Sequence, residues 1–320
     1  VEVIVGTRQS ELALWQAEWV AQRLRRCNPD VVFRIKGIKT RGDHILDVAL
    51  AKIGDKGLFT KELEYALLEG GIDLAVHSMK DLPSELPDGL VIGAVCEREH
   101  PGDVLISKKG ETLAELPPGA VVGTSSLRRI AHLLRYRPDL RPVTVRGNVN
   151  TRLRKLFEGG TGGMLPDNGL DAIVLAFAGV RRMGWEERIS QLIPFSICLP
   201  AVGQGSIGIE IRGGDQLIAG LAAQLDHPES RAAVAAERAF LKRLEGGCQV
   251  PVGALGEVQD GRLTLEGAVS DLTGSRYLRS SLTGGPEEAE ELGTALAGKL
   301  IEMGAGEILR EIRSTTSLRG

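Results

Sequence analysis

Three features of this 320-residue chain combine residue type and spacing in a way that permits chemistry. The first is a thiol, Cys248, in the stretch Arg243-Leu244-Glu245-Gly246-Gly247-Cys248-Gln249-Val250-Pro251. A helical run from Ala232 to Leu244 stops at the glycine pair, because glycine takes the left-handed cap conformation at little cost. Cys248 is therefore expected on a reachable loop ahead of Pro251. Most cysteines are small buried hydrophobes, but two glycines leave little beside this one to bury it. It reads as an attachment point or a nucleophile.

The second feature is a concentration of positive charge. Between Val121 and Arg182 the chain has eleven basic residues against four acids, an excess of seven in a molecule of formal net charge −3. Arg128, Arg129, Arg146 and Arg152 stand where a predicted strand feeds a predicted helix, with Thr124-Ser125-Ser126 and Gly147-Asn148 adding hydroxyl and backbone donors. Helix N-termini present unpaired N–H groups there, and guanidinium forks match carboxylates bidentately. One phosphate would need two or three such groups, so this many points to a polycarboxylate, or to several carboxylates bound in succession. Arg135, Arg137 and Arg154 read as solvated helix-face residues.

The third is Asp81, in His77-Ser78-Met79-Lys80-Asp81-Leu82-Pro83. This run follows an apolar strand pattern, at the sheet edge where open α/β folds place ligands. A carboxylate facing a basic cleft suits the stabilisation of a cationic intermediate or the shuttling of a proton. His77 reads as a packed or hydrogen-bonded histidine, and no second His or Cys stands at ligand spacing to make a metal site.

The elements that must position these groups alternate strand and helix. Ser10 is a fair N-cap for a helix from Glu11 to about Arg26, with Leu12, Trp15 and Trp19 expected on its buried face. Apolar runs at Ile72–Val76, Val91–Cys96, Val121–Gly123, Val143–Val145, Asp171–Phe177 and Ile207–Ile211 read as sheet strands, the last returning to the first sheet. After Pro228 a helix is followed by alternating strands with turns at Asp260-Gly261 and Thr273-Gly274, then by an amphipathic helix over Glu287–Met303. The expected architecture is α/β: two lobes around a cleft plus a small α+β domain. The domains expected are 1–98 with 204–222, then 102–199, then 226–320, with hinges near 97–102 and 200–205.

Ordered motifs along nearly the whole chain resemble the hydroxymethylbilane synthase (porphobilinogen deaminase) family. They are Gly-Thr-Arg-Gln-Ser at 6–10, Thr-Arg-Gly-Asp at 40–43, Lys-Gly-Leu-Phe at 56–59 and Val-His-Ser-Met-Lys-Asp-Leu-Pro at 76–83. Further along stand Gly-Thr-Ser-Ser-Leu-Arg-Arg at 123–129, Arg-Gly-Asn at 146–148, Thr-Arg-Leu at 151–153, Pro-Ala-Val-Gly-Gln-Gly at 200–205 and Leu-Glu-Gly-Gly-Cys at 244–248. The resemblance implies a transferase that condenses four porphobilinogens head to tail with loss of ammonia, then releases 1-hydroxymethylbilane by hydrolysis. It implies two lobes like type II periplasmic binding proteins, and a dipyrromethane cofactor held by Cys248 through a thioether.

By the same resemblance Asp81 assists deamination and stabilises positive charge on the pyrrole. Lys80, Thr124, Ser125, Ser126, Arg128, Arg129, Arg146, Gly147 and Gln204 join Cys248 and Asp81 in holding the cofactor. Arg8, Ser10, Lys56, Phe59, Asn148, Arg152 and Arg182 serve the substrate. The segment Glu158–Gly169 is longer and richer in glycine than the usual link in the family, and Ser206 replaces a common alanine.

The main alternative is a two-lobed carboxylate-binding protein without catalysis, which leaves the Gly-Gly-Cys loop and the third domain idle. A cysteine hydrolase would need an oriented histidine beside Cys248, and His227 is the nearest in sequence. Aromatics at 4% and the net negative charge argue against a nucleic-acid partner, and no apolar run has the length of a membrane span. The expectation is a cytoplasmic monomer with reduced thiols.

Overall fold

The computed structural model describes residues 1–40, 60–158, 169–244 and 250–317. Arg41, Lys56, Phe59, Cys248 and most of the Glu158–Gly169 segment lie outside the described residues.

The first lobe is built on β1 (Glu2–Arg8), β2 (Val32–Ile38), β3 (Leu74–Ser78), β4 (Leu90–Val95) and β10 (Ile207–Arg212), in the order β2-β1-β3-β10-β4. β1 runs parallel to β2 and β3, whereas β10 is antiparallel to both β3 and β4. The β1–β2 crossover is helix α1 (Glu11–Cys27), which starts where the Ser10 hydroxyl accepts the Ala13 N–H. Its inward face is Gln16, Ala17, Val20, Ala21 and Leu24. The expected tryptophan face is thus corrected. Trp15 is 39% exposed, and Trp19 is only partly buried, with the Arg23 guanidinium 3.7 Å above its ring. The inward face is offset from the indoles around the helix, which leaves both tryptophans at its flank.

The second lobe follows the same plan. Strands β5 (Asp103–Ser107), β6 (Val121–Gly123), β7 (Arg141–Val143), β8 (Ala172–Ala176) and β9 (Gln191–Leu192) take the order β7-β6-β8-β5-β9, with β5 antiparallel to β8 and β9. The chain leaves lobe one after β4 and enters lobe two through β5. It comes back through β10, so each lobe receives one antiparallel strand at the fourth place of its sheet. Helices α2 (Lys61–Leu68), α3 (Leu127–Tyr136), α4 (Val149–Phe157), α5 (Phe177–Arg182) and α6 (Gln216–Ala223) complete the two lobes. Among the described residues no helix is long and apolar enough to cross a membrane.

The third layer packs α7 (Pro228–Arg243), α8 (Ala289–Glu302) and α9 (Ala305–Ser317) with a three-stranded meander, β11 (Val252–Gln259), β12 (Arg262–Ser270) and β13 (Tyr277–Gly284). Asp260 and Gly261 have φ of 50° and 71°, the left-handed pair that a two-residue hairpin turn requires. Phe240, Leu265, Leu296 and Leu300 are fully buried in its core.

Both crossings between the lobes meet α7 at one carboxylate. Glu237 is fully buried; it accepts Arg98 Nη1 at 2.5 Å and Nη2 at 3.1 Å, the Gly203 N–H at 2.6 Å and the Gly256 N–H at 2.7 Å. A buried charge is tolerable only when its lone pairs are filled this way.

Candidate active site

β3 ends in a 3₁₀ turn, Met79–Asp81, that aims Lys80 and Asp81 at the cleft. Met79 anchors the turn: its N–H donates to Ser206 O at 3.0 Å, and its side chain is buried with Leu82, Val95 and Val234. The 200–205 segment packs directly on this turn. A Cβ at Gly203, where φ is +70°, would stand 2.9 Å from Met79 Cβ and 3.2 Å from Lys80 N. Glycine there is a condition of the site's shape. Asp81 is exposed at the turn's end and shares a small cavity with Arg8, Ser10, Gln16 and Ser78.

Lobe two faces this turn with two helix N-termini. Ser126 caps α3 by accepting the Arg129 N–H, while the Ser125 hydroxyl donates to Val145 O at 2.7 Å and the buried Thr124 hydroxyl accepts the Ser126 N–H. Asn148 caps α4, accepting the Thr151 N–H and hydroxyl at 2.8 Å each. Gly147 precedes it with φ of +111°. Arg152 Nε donates back to Gly147 O at 2.9 Å, and Arg182 Nη2 donates to Gly205 O at 2.6 Å, bridging lobe two to the return crossing.

Arg128 and Arg129 share an internal partner that lies outside the sequence motifs. Asp103, fully buried as the first residue of β5, takes Arg128 Nη1 at 2.7 Å on one oxygen, and Arg129 Nη2 at 2.7 Å and Nε at 3.1 Å on the other. Gln204 Nε2 adds a fourth donor at 2.9 Å. Burial pushes the Asp103 carboxyl up, but the two guanidiniums overcome it and hold it far below the usual carboxylate range. Arg128 Nη1 also donates to Leu199 O at 2.5 Å and Cys198 Sγ at 3.2 Å, and Arg129 Nη1 donates to Val174 O at 2.9 Å. The signal available in the sequence was an aspartate opening the apolar run Val104-Leu105-Ile106, a place where a charge must find a partner. Asp103→Asn is expected to lower unfolding stability by about 3–5 kcal/mol, because two buried guanidiniums lose their counter-charge. Urea denaturation checks this; a loss near that of an exposed pair, under about 1 kcal/mol, would contradict it.

Two arginines assigned to solvent also have structural roles. Arg137 holds the Leu113 and Leu116 carbonyls together with Asp139, and Arg135 stacks 4.2 Å from the Tyr277 ring centroid, joining α3 to the third domain.

The electrostatics of the cleft are those of like charges crowded together. Lys80 falls to about 8, through burial first and then Arg129 and Arg152, against the pull of Asp81 and Asp103. Arg152 falls to about 10 through burial, then Arg129 and Arg146. Arg182 falls to about 10 through burial, opposed by Glu99 and Cys96, and burial also lowers Arg146. Groups from both lobes thus act on one another across one space, and a polyanion placed there would relieve them all.

Two α/β lobes, joined by two crossings and facing each other through depressed cations, define a two-lobed anion-binding protein with a third domain attached. Residues 3–220 match the family model described as porphobilinogen deaminase, dipyromethane cofactor binding domain, and residues 232–302 match the porphobilinogen deaminase C-terminal domain. The porphobilinogen deaminase of Pelotomaculum thermopropionicum is 62% identical over 98% of this chain and 97% of its own length. That of Desulforudis audaxviator is 60% identical over 98% of both, and that of Carboxydothermus hydrogenoformans 57% identical over 98% and 97%. The chain belongs to the porphobilinogen deaminase family, transferases of tetrapyrrole biosynthesis that carry a dipyrromethane cofactor. The carrier alternative, a cleft without chemistry, is set aside by this membership.

Proposed function

We propose that the crowded cations hold the carboxylates of cofactor and substrate while Asp81 serves the bond-making chemistry. The reaction is the stepwise deaminative condensation of four porphobilinogens, followed by hydrolytic release of 1-hydroxymethylbilane. Each pyrrole of cofactor and substrate carries an acetate and a propionate. The single observation that carries the assignment is the depression of Lys80 and Arg152 by burial and by the neighbouring guanidiniums.

A dipyrromethane fits this donor set, because four carboxylates would neutralise cations that now raise one another's energy. When bound, the cofactor supplies the free pyrrole α-carbon at which the chain is extended. Lys80, Arg129, Arg146 and the Thr124–Ser126 turn would hold it, joined by Arg128, Gly147 and Gln204. The covalent link is assigned to Cys248 on its motif. Arg8, Ser10, Asn148, Arg152 and Arg182 would receive the substrate's carboxylates, with Lys56 and Phe59 assigned on sequence alone. Two carboxylates act on Lys80, and of these Asp103 is committed to two arginines. That leaves Asp81 to pair with the substrate's ammonium and to move a proton as ammonia departs.

The domains are assigned as 1–98 with 204–222, 102–199 and 226–320. The working unit is a single chain, since both walls of the cleft and the helix leading to Cys248 come from one polypeptide. A cytoplasmic setting accords with Cys27, Cys96 and Cys198, which are free thiols.

The depressed Lys80 gives this reading a pH test. A bound carboxylate raises the ammonium's pKa above its unliganded value of about 8. Binding therefore takes up protons, and affinity falls as pH rises through that value. The affinity of a pyrrole bearing acetate and propionate but no aminomethyl group, measured by calorimetry, is expected to fall about fivefold from pH 8 to 9 by linkage. Affinity that stays flat across that interval would remove Lys80 from carboxylate capture.

A further inference from the structure

We propose that His77, paired with Glu210, is a positioning residue for the Met79–Asp81 turn and sets where Asp81 meets the substrate. This rests on the role given to Asp81 above. β3 lies between β1 and β10, and strands so placed are expected to be apolar on both faces. Leu74, Ala75 and Val76 meet that expectation, all being buried. His77 does not: it is a buried imidazole whose Nε2 lies 3.0 Å from Oε2 of Glu210, itself fully buried. Register pairs His77 with Gly208, so Glu210 is the diagonal neighbour on the adjacent strand.

Such a pair is a poor way to gain stability. Apolar residues of similar volume commonly do as well or better. What it provides is a directional bond that fixes the end of β3 against β10 just before the catalytic turn. The chain on the other side of the turn is fixed as well, where Arg238 Nη2 donates to Pro83 O at 2.6 Å and Ser84 O at 3.1 Å.

Glu210 sits between these two restraints and interacts electrostatically with Arg238. From α2, Glu64 also faces it. Burial raises the Glu64 carboxyl above the usual range, Glu210 adds to the shift, and Thr60, His77 and Lys61 oppose it. The second Glu210 oxygen, Oε1, has no hydrogen-bond partner among the described residues, so its only direct hold is on His77. The imidazole also lines the cavity that holds Asp81, Arg8 and Ser10, so any shift of this strand end is felt at the reacting groups. A misplacement of about 1 Å can cost about 100-fold in rate.

The test uses His77→Ala and His77→Gln in the cofactor-loaded enzyme, each alone and combined with Asp81→Asn. His77→Ala is expected to lower kcat about 30-fold, with KM within about threefold and the cofactor still attached by intact mass. His77→Gln keeps an N–H donor of similar reach and is expected to recover all but about fivefold of the loss. If His77 acts through Asp81, adding His77→Ala to Asp81→Asn changes kcat by less than about twofold, whereas the fall in Tm is the same in both backgrounds. A multiplicative loss of kcat in the double variant would overturn the proposal, as would equal losses in the Ala and Gln variants or an unchanged kcat. Near-parental activity in Asp81→Asn alone would instead overturn the role of Asp81, and this proposal with it.

Discussion

Cys248→Ala is expected to yield a folded protein with no attached cofactor and no measurable porphobilinogen turnover. Each of four additions would otherwise have to recapture a short pyrrole chain from solution. Association costs about 4–15 kcal/mol in lost translational and rotational freedom. A tether removes that loss, and oriented intramolecular reactions reach effective molarities of about 10⁵ M or more. The carboxylate grip alone cannot substitute, because the same cations must let each acidic ring move on as the next arrives. The fold should survive the change. Leu244 and Val250, on either side of residues 245–249, are both buried in the third-domain core, and α7 is held to both crossings through Glu237. The expected signature is thus an unchanged denaturation midpoint, loss of the cofactor mass and loss of activity together. Substantial turnover by Cys248→Ala would remove the thioether from the account.

Asp81→Asn is expected to keep the cofactor and lose about 100-fold or more of kcat. General acid–base assistance contributes about 10²–10⁴ in rate, and the amide also forfeits the negative charge that balances a developing pyrrole cation. The residue is well placed for so clean an effect. It is exposed at the end of its turn, whereas the turn's footing is Met79, buried beneath it, and the Ser206 carbonyl. Asparagine fits the same space, so folding and cofactor loading should be spared. Steady-state kinetics with intact-mass analysis of the same sample separates the outcomes. Activity within a few-fold of the parent would take Asp81 out of the chemistry.

Much of this was legible in the chain because local signals and tertiary roles coincide. Ser10, Ser126 and Asn148 read as polar residues opening periodic helices, and each accepts an N–H from its first turn. The charge excess between Val121 and Arg182 pointed to an anion site; of its members, Arg129 and Arg152 act electrostatically on Lys80, and Arg152 also interacts with Asp81.

What escaped the sequence depends on contacts between distant segments. Asp103 is 25 residues from Arg128, and Arg98 is 139 from Glu237, so no spacing rule ties either pair together. β5 itself was overlooked because its five residues follow directly on the Pro101-Gly102 bend, with no period long enough to register. Trp15 misled for the opposite reason. Hydrophobic periodicity marks a broad stripe, but the face that α1 turns inward is Gln16, Ala17, Val20, Ala21 and Leu24, which leaves the indoles at its flank. His77 was visible as a histidine in an apolar strand; its partner Glu210 arrives from a strand 133 residues later.

The most direct measurement of the central claim is the intact mass of the purified parent enzyme, followed by peptide mapping. The account predicts an added mass of two linked pyrrole units, located on the peptide containing Cys248. A fully active chain of unmodified mass would contradict it, and so would the same adduct on Cys27, Cys96 or Cys198.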